Sequence, residues 1–559
     1  MGNWINLRCI IASVAVWLVP GNSAAQAAPA LQDDAVQAIS RLVEEMVEPG
    51  QPGAGVGIVL GGDVVFSHYA GLANLDTPTP IDASTRFNIA SVAKQYTALM
   101  VLELAQSGRV DLSQDFRTYL PGVMEGIDPP ISVGQLINHT SGIRDVYDLY
   151  FITNATWYET DFDNRTALTL LNRQVALNFE PGTDYRYSNS NYILLAELVS
   201  AVVDEPFHVY ATRFLSERGL GDSSIRRRYG VVIPRLARAY GNYGSGWLED
   251  ADIANTQGDG FMYASLPDLL RWETQIWGAD RSLPDDLIEM SQRPIEGLSN
   301  PAYGYGLEFG FYRGARTVFH EGATGSYNTH VLRFPDFQAS IVVVSNNRNI
   351  SAVALAVRTA NLAFDNVFTD AATYPAGPDV ISDIGSLDGF LGLYELDSGT
   401  FVRLVSRDGD LFREIEWREP VRLIPEADNL YHYETNPNLR LTLTQSAEGR
   451  RGFALYAPSQ SPQFAQQVPP TPDEETYPAS IEGRYFNAET ETEIILQHTA
   501  DGEYVMVKND RPRTLQLVGR DYLTWNDYRI RVVRDGRGLS TGLTVDRNRV
   551  RNLDFPRQD

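Results

Sequence analysis

The sequence predicts an α+β protein, an antiparallel sheet with a helical insertion, followed by two small antiparallel β-barrel domains. Three observations carry that prediction. Two β-rich runs lie near the N-terminus and three more between about residues 317 and 347, with helix-period segments between the two groups. Beyond about Asp370 the helix period all but vanishes, and short alternating strands with Asp-Gly or Asn turns take over. Within that tail two segments echo each other: "FLGLYELDSGTFVRLVSRDGDLF" around Gly392 and Tyr394, and "IEGRYFNAETETEIILQHTADGEYV" around Gly483 and Tyr485.

The elements follow in order. "GAGVGIVLGGDVVFSHYAG" is a hairpin turning at Gly61-Gly62-Asp63. "FNIASVAKQYTALMVLELAQSG", from Phe87 to Gly108, reads as a helix whose apolar spacing from Ala98 onward is core packing. Three- and four-residue apolar spacing predicts further helices at "RTALTLLNRQVAL", "SNYILLAELVSAVVDE" and "LPDLLRWETQIWG". Strands return at "TVFHEGATG", "THVLRFP" and "ASIVVVSNN", and a helix closes the set at "SAVALAVRTANLAFDNVF". The N-terminal hairpin is therefore expected to pair with the C-terminal strands. Two linker-like stretches follow, "ATYPAGPDVISDIGS" and the Pro-rich, extended "APSQSPQFAQQVPPTPDEETYP". They divide the chain into a main domain over 28–372 and barrels over 383–468 and 477–559.

Composition narrows the class of function. The chain has 559 residues, 43% hydrophobic and 21% charged, too long for one compact core. A formal net charge of -25 argues against nucleic acid as a partner, since that affinity comes from Lys and Arg neutralising phosphates. The first 27 residues combine Arg8, an apolar run from Cys9 to Val19, a Pro-Gly break and small residues at Ala25 and Ala27. That is the pattern of a secretory signal peptide, and it predicts a secreted or periplasmic protein with no stable membrane span after cleavage. Cys9, the only cysteine, lies inside it, so the mature chain is expected to lack disulfides, a thiol nucleophile and Cys-bound metal.

Several motifs can be set aside. "HEGAT" at His320 lacks the second His of a zinc-protease helix, because Thr324 stands there. No His pair has metal-ligand spacing, and neither metal nor cofactor is expected. "GAGVGI" runs into a strand where a dinucleotide loop would run into a helix. Ser91-x-x-Lys94 is different, because at that spacing a hydroxyl and an amine share one helical face. A Ser hydroxyl needs a neighbour to take its proton, and a Lys with depressed pKa can do so. Unsatisfied N–H groups at the helix start add positive potential beside Ser91. Ser-x-x-Lys recurs by chance in most long sequences, so alone the pair favours the reading of a capped surface helix.

Its company decides. Tyr187-Ser188-Asn189 and His320-Glu321-Gly322 follow at the order and rough separations of the three motifs of the serine β-lactamase and penicillin-binding superfamily. The flanking text, "ISVGQLINHTSGI", "PGTDYRYSNSNY", "GDGFMYASLPDLLRW" and "YGYGLEFG", resembles its class C β-lactamase-like branch across most of residues 40–365. That branch holds D-aminopeptidases, carboxypeptidases and esterases, and a catalytic domain followed by two barrels resembles its D-aminopeptidases. The resemblance implies a β-lactamase/transpeptidase-like fold and roles by position. Ser91 would form the acyl-enzyme, and Lys94 would help deprotonate it. Tyr187 would act as a phenolate-like base and proton shuttle, its pKa lowered by Lys94. Asn189 would orient Lys94 or bind the substrate amide, and Gly322 would let the strand approach the substrate. The backbone N–H groups of Ser91 and Ala323 would hold the oxyanion. In those relatives a loop from the last barrel reaches the active site.

Two departures bear on the substrate, a small molecule or short peptide. His320 stands where penicillin-recognising members often carry Lys, and a neutral imidazole binds a carboxylate less well. Glu321 follows; facing the cleft it would attract an amine, while strand alternation could turn it away. The expectation is a D-aminopeptidase-like amidase or peptidase acting on small D-amino-acid peptides or amides. The alternatives are an esterase, a β-lactamase, a D-Ala-D-Ala carboxypeptidase, or a protein that is acylated without turnover. The sequence carries no signal for an oligomeric state.

Overall fold

The structure, a computed structural model, describes residues 30–558 except for short internal stretches, the longest being 294–302, 370–385, 457–462 and 469–480. The proposed signal peptide and Cys9 lie outside the described residues. The main helices are α1 (Asp33–Glu45), α2 (Lys94–Gln106), α3 (Val146–Ile152), α4 (Asn189–Val203), α5 (Leu266–Trp277) and α6 (Ala352–Phe364). The main strands are β1 (Ala54–Leu60), β2 (Asp63–Ala70), β3 (Glu308–Tyr312), β4 (Ala315–Thr324), β5 (Tyr327–Phe334) and β6 (Ala339–Ser345).

The six strands form one sheet in the order β3-β4-β5-β6-β1-β2. Every pairing is antiparallel, and β1 meets β6 through Val56↔Val343 as the separated runs of β-rich sequence predict. Both β1 and β6 are buried along their whole length, because the sheet is covered on two faces. On one face α1 and α6 bring Leu42, Val43, Leu355 and Phe364 against Val56, Ile58 and Val343. On the other, the helical insertion packs Leu99, Leu195, Leu266 and Leu270 against Val59, Val342 and Val344. Helix α2 is buried on all sides from Lys94 to Leu102, and its buried polar side chains, Lys94, Gln95 and Thr97, are hydrogen-bonded. The expected helix over 165–177 is shorter, Asn164–Leu171, since the Asn172 side chain turns to accept from the Met124 backbone N–H.

The tail forms two eight-stranded barrels. The first runs from Gly392–Leu396 to Gln463–Gln467 and closes through Tyr394↔Gln467. Its last strand lies inside the stretch expected to be an extended linker. The second runs from Gly483–Asn487 to Val550–Pro556 and nearly closes, its ends meeting at Tyr485↔Arg557. The sequence echo has a structural counterpart. Tyr394 Oη donates to the Phe390 carbonyl at 2.8 Å, and Tyr485 Oη reaches the Ile481 carbonyl, also four residues back, at 2.7 Å.

The second barrel is built onto α3. Leu149 and Ile152 are fully buried in its interior, sharing a core with Ile481, Ile494, Leu543 and Leu553. Arg144, equally buried, pairs with Glu489 at 2.8 Å and donates to the carbonyls of Arg551 and Asn552 at 3.0 and 2.8 Å. Burying a guanidinium is tolerable only when its donors are met in this way.

Candidate active site

Ser91 sits in a 3-10 turn, Ala90–Ala93, that runs straight into α2. The turn is shaped by Ala90, which holds a left-handed φ of 47° while its N–H donates to Asn88 Oδ1 at 3.0 Å. Strain of this kind persists where the surroundings fix it, commonly at functional sites. Strand β4 comes in very close. A Cβ on Gly322 would lie 2.2 Å from the Ile89 carbonyl oxygen, so only glycine fits there. Gly322 thus lets β4 approach the turn that carries Ser91.

Lys94, one turn on, is fully buried, and its Nζ lies 3.0 Å from Ser91 Oγ. The same Nζ donates to Asn189 Oδ1 at 2.9 Å and to the Asp259 carbonyl. A neutral amine held by those two acceptors points its lone pair at the third direction, the Ser91 hydroxyl. Burial pushes the Lys94 pKa down to about 7, against the pull of Asp259 and Asp145.

Tyr187 sits beside Ser91, and Lys94 Nζ lies 5.0 Å from its ring centroid. Its ring keeps some access to solvent, yet the groups packed round its hydroxyl desolvate it and raise its pKa well above the usual phenol value. This corrects the expectation of a pKa lowered by Lys94: desolvation outweighs the nearby nitrogen, and the group stays a phenol. Asn189 opens α4, with its N–H and side-chain amide both given to Asp145 Oδ2 at 2.7 and 2.9 Å.

His320 is buried on the face of β4 that looks toward Tyr187, ring centroids 6.1 Å apart. Its Nδ1 donates to the Glu321 carbonyl at 2.7 Å and its Nε2 accepts from Tyr303 Oη at 3.1 Å. Burial, with Lys94 adding to it, lowers its pKa to about 3, so the imidazole is neutral. Glu321 goes the other way. Strand alternation sends it to the sheet face of Phe319, where it reaches solvent although neighbouring protein raises its carboxyl pKa. It does not join Ser91, Lys94 and His320, so it is not placed to attract a substrate amine in the cleft.

Pairing of β3 with β4 stops at Glu308↔Phe319, so, among the described residues, 320–324 have a strand neighbour on one side only. Gly325, at φ 53°, and Ser326 make the two-residue turn into β5. That turn makes Thr324–Tyr327 a hydrogen-bonded pair and Ala323–Asn328 a non-bonded one, so the Ala323 N–H points to the open edge.

Other members of the site had weaker signals. His139, Asp259 and Tyr303 lie in flanking text that resembles the family but carried no assigned role. His139 is buried 4.4 Å from the Tyr187 ring and accepts at Nδ1 from the Ser188 N–H and the Asn191 amide. Asp145 lies just past "HTSGI". Arg549, in the last barrel, lies 3.2 Å from Asp145 and had no sequence signal.

The family model described as Beta-lactamase matches residues 39–364, more than half of the chain. A D-aminopeptidase of Cereibacter sphaeroides (strain ATCC 17029 / ATH 2.4.9) is 25% identical over 537 residues, 90% of this chain and 96% of that protein. A D-aminopeptidase of Brucella anthropi is 30% identical over 302 residues, 53% of this chain and 56% of that one. Among solved structures, an octameric penicillin-binding protein homologue from Pyrococcus abyssi superposes with a TM-score of 0.54 at 19% identity, over 77% of this chain and 99% of its own.

Proposed function

The chain belongs to the beta-lactamase family and is a serine hydrolase, and from that premise we propose that it is an exported amidase or peptidase of the D-aminopeptidase type, working through an acyl-enzyme on Ser91. On this reading residues 1–27 direct export, 28–372 carry the chemistry, and the barrels over 383–468 and 477–559 complete the molecule. The observation that carries it is the 3.0 Å contact between the fully buried Lys94 nitrogen and the partly exposed Ser91 hydroxyl.

At pH 7 an ordinary Lys is neutral in only about 0.04% of molecules, whereas a pKa of about 7 makes it neutral in roughly half. Lys94 takes the Ser91 proton as Oγ attacks the acyl carbon, and the oxyanion meets the N–H groups of Ser91 and Ala323. The departing amine receives a proton through the Tyr187 hydroxyl, a phenol acting as relay. Water then attacks the acyl-enzyme by the same route in reverse. His320 is uncharged and cannot replace the cation that would anchor a substrate carboxylate. That favours substrates without one, and the D-aminopeptidase relative matched across nine-tenths of this chain supports the same direction.

The purified protein is to be compared on D-alanine p-nitroanilide, p-nitrophenyl butyrate and nitrocefin. The highest kcat/KM is expected on the first, with loss of all turnover in Ser91→Ala. Dominant nitrocefin turnover would overturn the assignment.

A further inference from the structure

Asp145 stands between the catalytic pair and the last barrel. Its Oδ2 holds both donors of Asn189, and its Oδ1 caps α3 by accepting from the N–H groups of Tyr147 at 3.0 Å and Asp148 at 3.3 Å. The side chain is fully buried. A buried carboxylate so near Lys94 favours a cation there, and an ammonium has no lone pair with which to take the Ser91 proton.

The balancing charge comes from about 400 residues away in the sequence. Arg549 lies in the two-residue turn between strands Ser540–Arg547 and Val550–Pro556. Its Nη2 is 3.2 Å from Asp145 Oδ1, and its Nε donates to Asp148 Oδ2 at 2.8 Å. The turn is pinned from both sides, since Asn178 Nδ2 donates to the Arg549 carbonyl at 2.9 Å and the Arg551 N–H donates to Asn178 Oδ1 at 2.7 Å. Burial works against the guanidinium charge, but Asp145 and Asp148 outweigh it and its pKa is raised.

We propose that Arg549 is a positioning residue of the active site: it neutralises the buried Asp145 carboxylate that holds Asn189, so that Asn189 aims the Lys94 nitrogen at Ser91 without Asp145 fixing a proton on it. The proposal rests on reading Ser91 and Lys94 as nucleophile and base. The charged groups facing Lys94 are Asp259, Asp145 and Arg549, surrounded by neutral His139 and His320 and by the rings of Tyr187 and Tyr192. Removing Arg549 takes away the cation that offsets Asp145, which makes Lys94 easier to protonate. Removing the Asp145 charge does the opposite.

The chain contains only two lysines, Lys94 and Lys508, so carbon-13 labelling at the lysine ε position gives two resonances. Full-length wild type, Arg549→Gln, Arg549→Lys, Asp145→Asn and the Gln/Asn double variant are to be titrated by NMR, Lys94 being assigned from its loss in Lys94→Met. The rate of Ser91 labelling by a fluorophosphonate is followed over the same pH range. In Arg549→Gln the Lys94 midpoint is expected to rise by about one pH unit, as a unit charge within several ångströms at intermediate dielectric would give. Asp145→Asn should lower it, and the double variant and Arg549→Lys should stay near wild type. The labelling profile should move with each midpoint. An unmoved or lowered Lys94 midpoint in Arg549→Gln overturns the proposal, as does an equal shift in Arg549→Lys. Absent or Ser91-independent labelling instead overturns the nucleophile assignment, which the NMR midpoints register separately.

Discussion

At the scale of single residues, the two protonatable partners of Ser91 have been pushed apart by the same cause. Burial lowers a Lys and raises a Tyr, so in the proposed mechanism Lys94 near 7 serves as the base while Tyr187 stays a phenol through the physiological range. Replacing Tyr187 by Phe should therefore lower kcat about 10²- to 10³-fold by removing the relay, while the acid limb of the pH–rate profile stays where it is. A kcat–pH series on D-alanine p-nitroanilide checks this, and a displaced acid limb would make Tyr187 the titrating base after all. What the sequence could say about these residues has a definite limit. The spacing of Ser91 and Lys94 within one turn is a property of the chain, and so was legible. The orientation of Glu321 depends on which face of β4 is opposed to the Ser91 turn, and the state of Tyr187 on what is packed round it. Neither is written in a local pattern.

Elements were legible where one period dominates. The hairpin of β1 and β2, the strands β4 to β6 and helices α4, α5 and α6 all repeat an apolar spacing long enough to read. Short α3 gave no such signal, since Val146–Ile152 is only two turns, yet it joins the two halves of the molecule. Its C-terminal end is held by the barrel: Lys508 Nζ donates to the Phe151 carbonyl at 3.0 Å and to Tyr528 Oη at 2.8 Å. Burial, aided by Arg547, lowers the Lys508 pKa to about 7 from an unfolded value of about 10.4. Between those two values the unfolded chain binds the proton more tightly, so stability is lost as pH falls from about 10 toward 7 and is flat below. Lys508→Met, similar in volume and never charged, should raise the melting temperature at pH 7, and the gain should shrink as pH approaches 10. Thermal unfolding across that range tests it. A gain independent of pH would mean that packing, and not proton binding, governs the site.

For the whole molecule, the way the second barrel is attached decides what truncation does. The sequence shows a repeat, which suggests a detachable unit, and the twin Tyr394 and Tyr485 hydrogen bonds support common construction. The contacts of the second copy say otherwise. Leu149 and Ile152 of the main domain are wholly buried in its interior, worth about 1.5–3 kcal/mol each. Arg144, Asp145 and Asp148, nearly or fully buried, find ionic partners in Glu489, Arg549 and Arg547. Stripping a buried charge of its partner costs about 3–5 kcal/mol. Three such losses added to two exposed aliphatic side chains rival the roughly 5–15 kcal/mol by which a domain is stable at all. Removing residues 477–559 should therefore leave a chain that does not fold cooperatively and does not label at Ser91, where a merely substrate-restricting barrel would leave a folded enzyme of broader specificity. Circular dichroism melting and fluorophosphonate labelling of the truncated protein distinguish the two, and a cooperative melt with retained labelling would show the main domain to be self-sufficient.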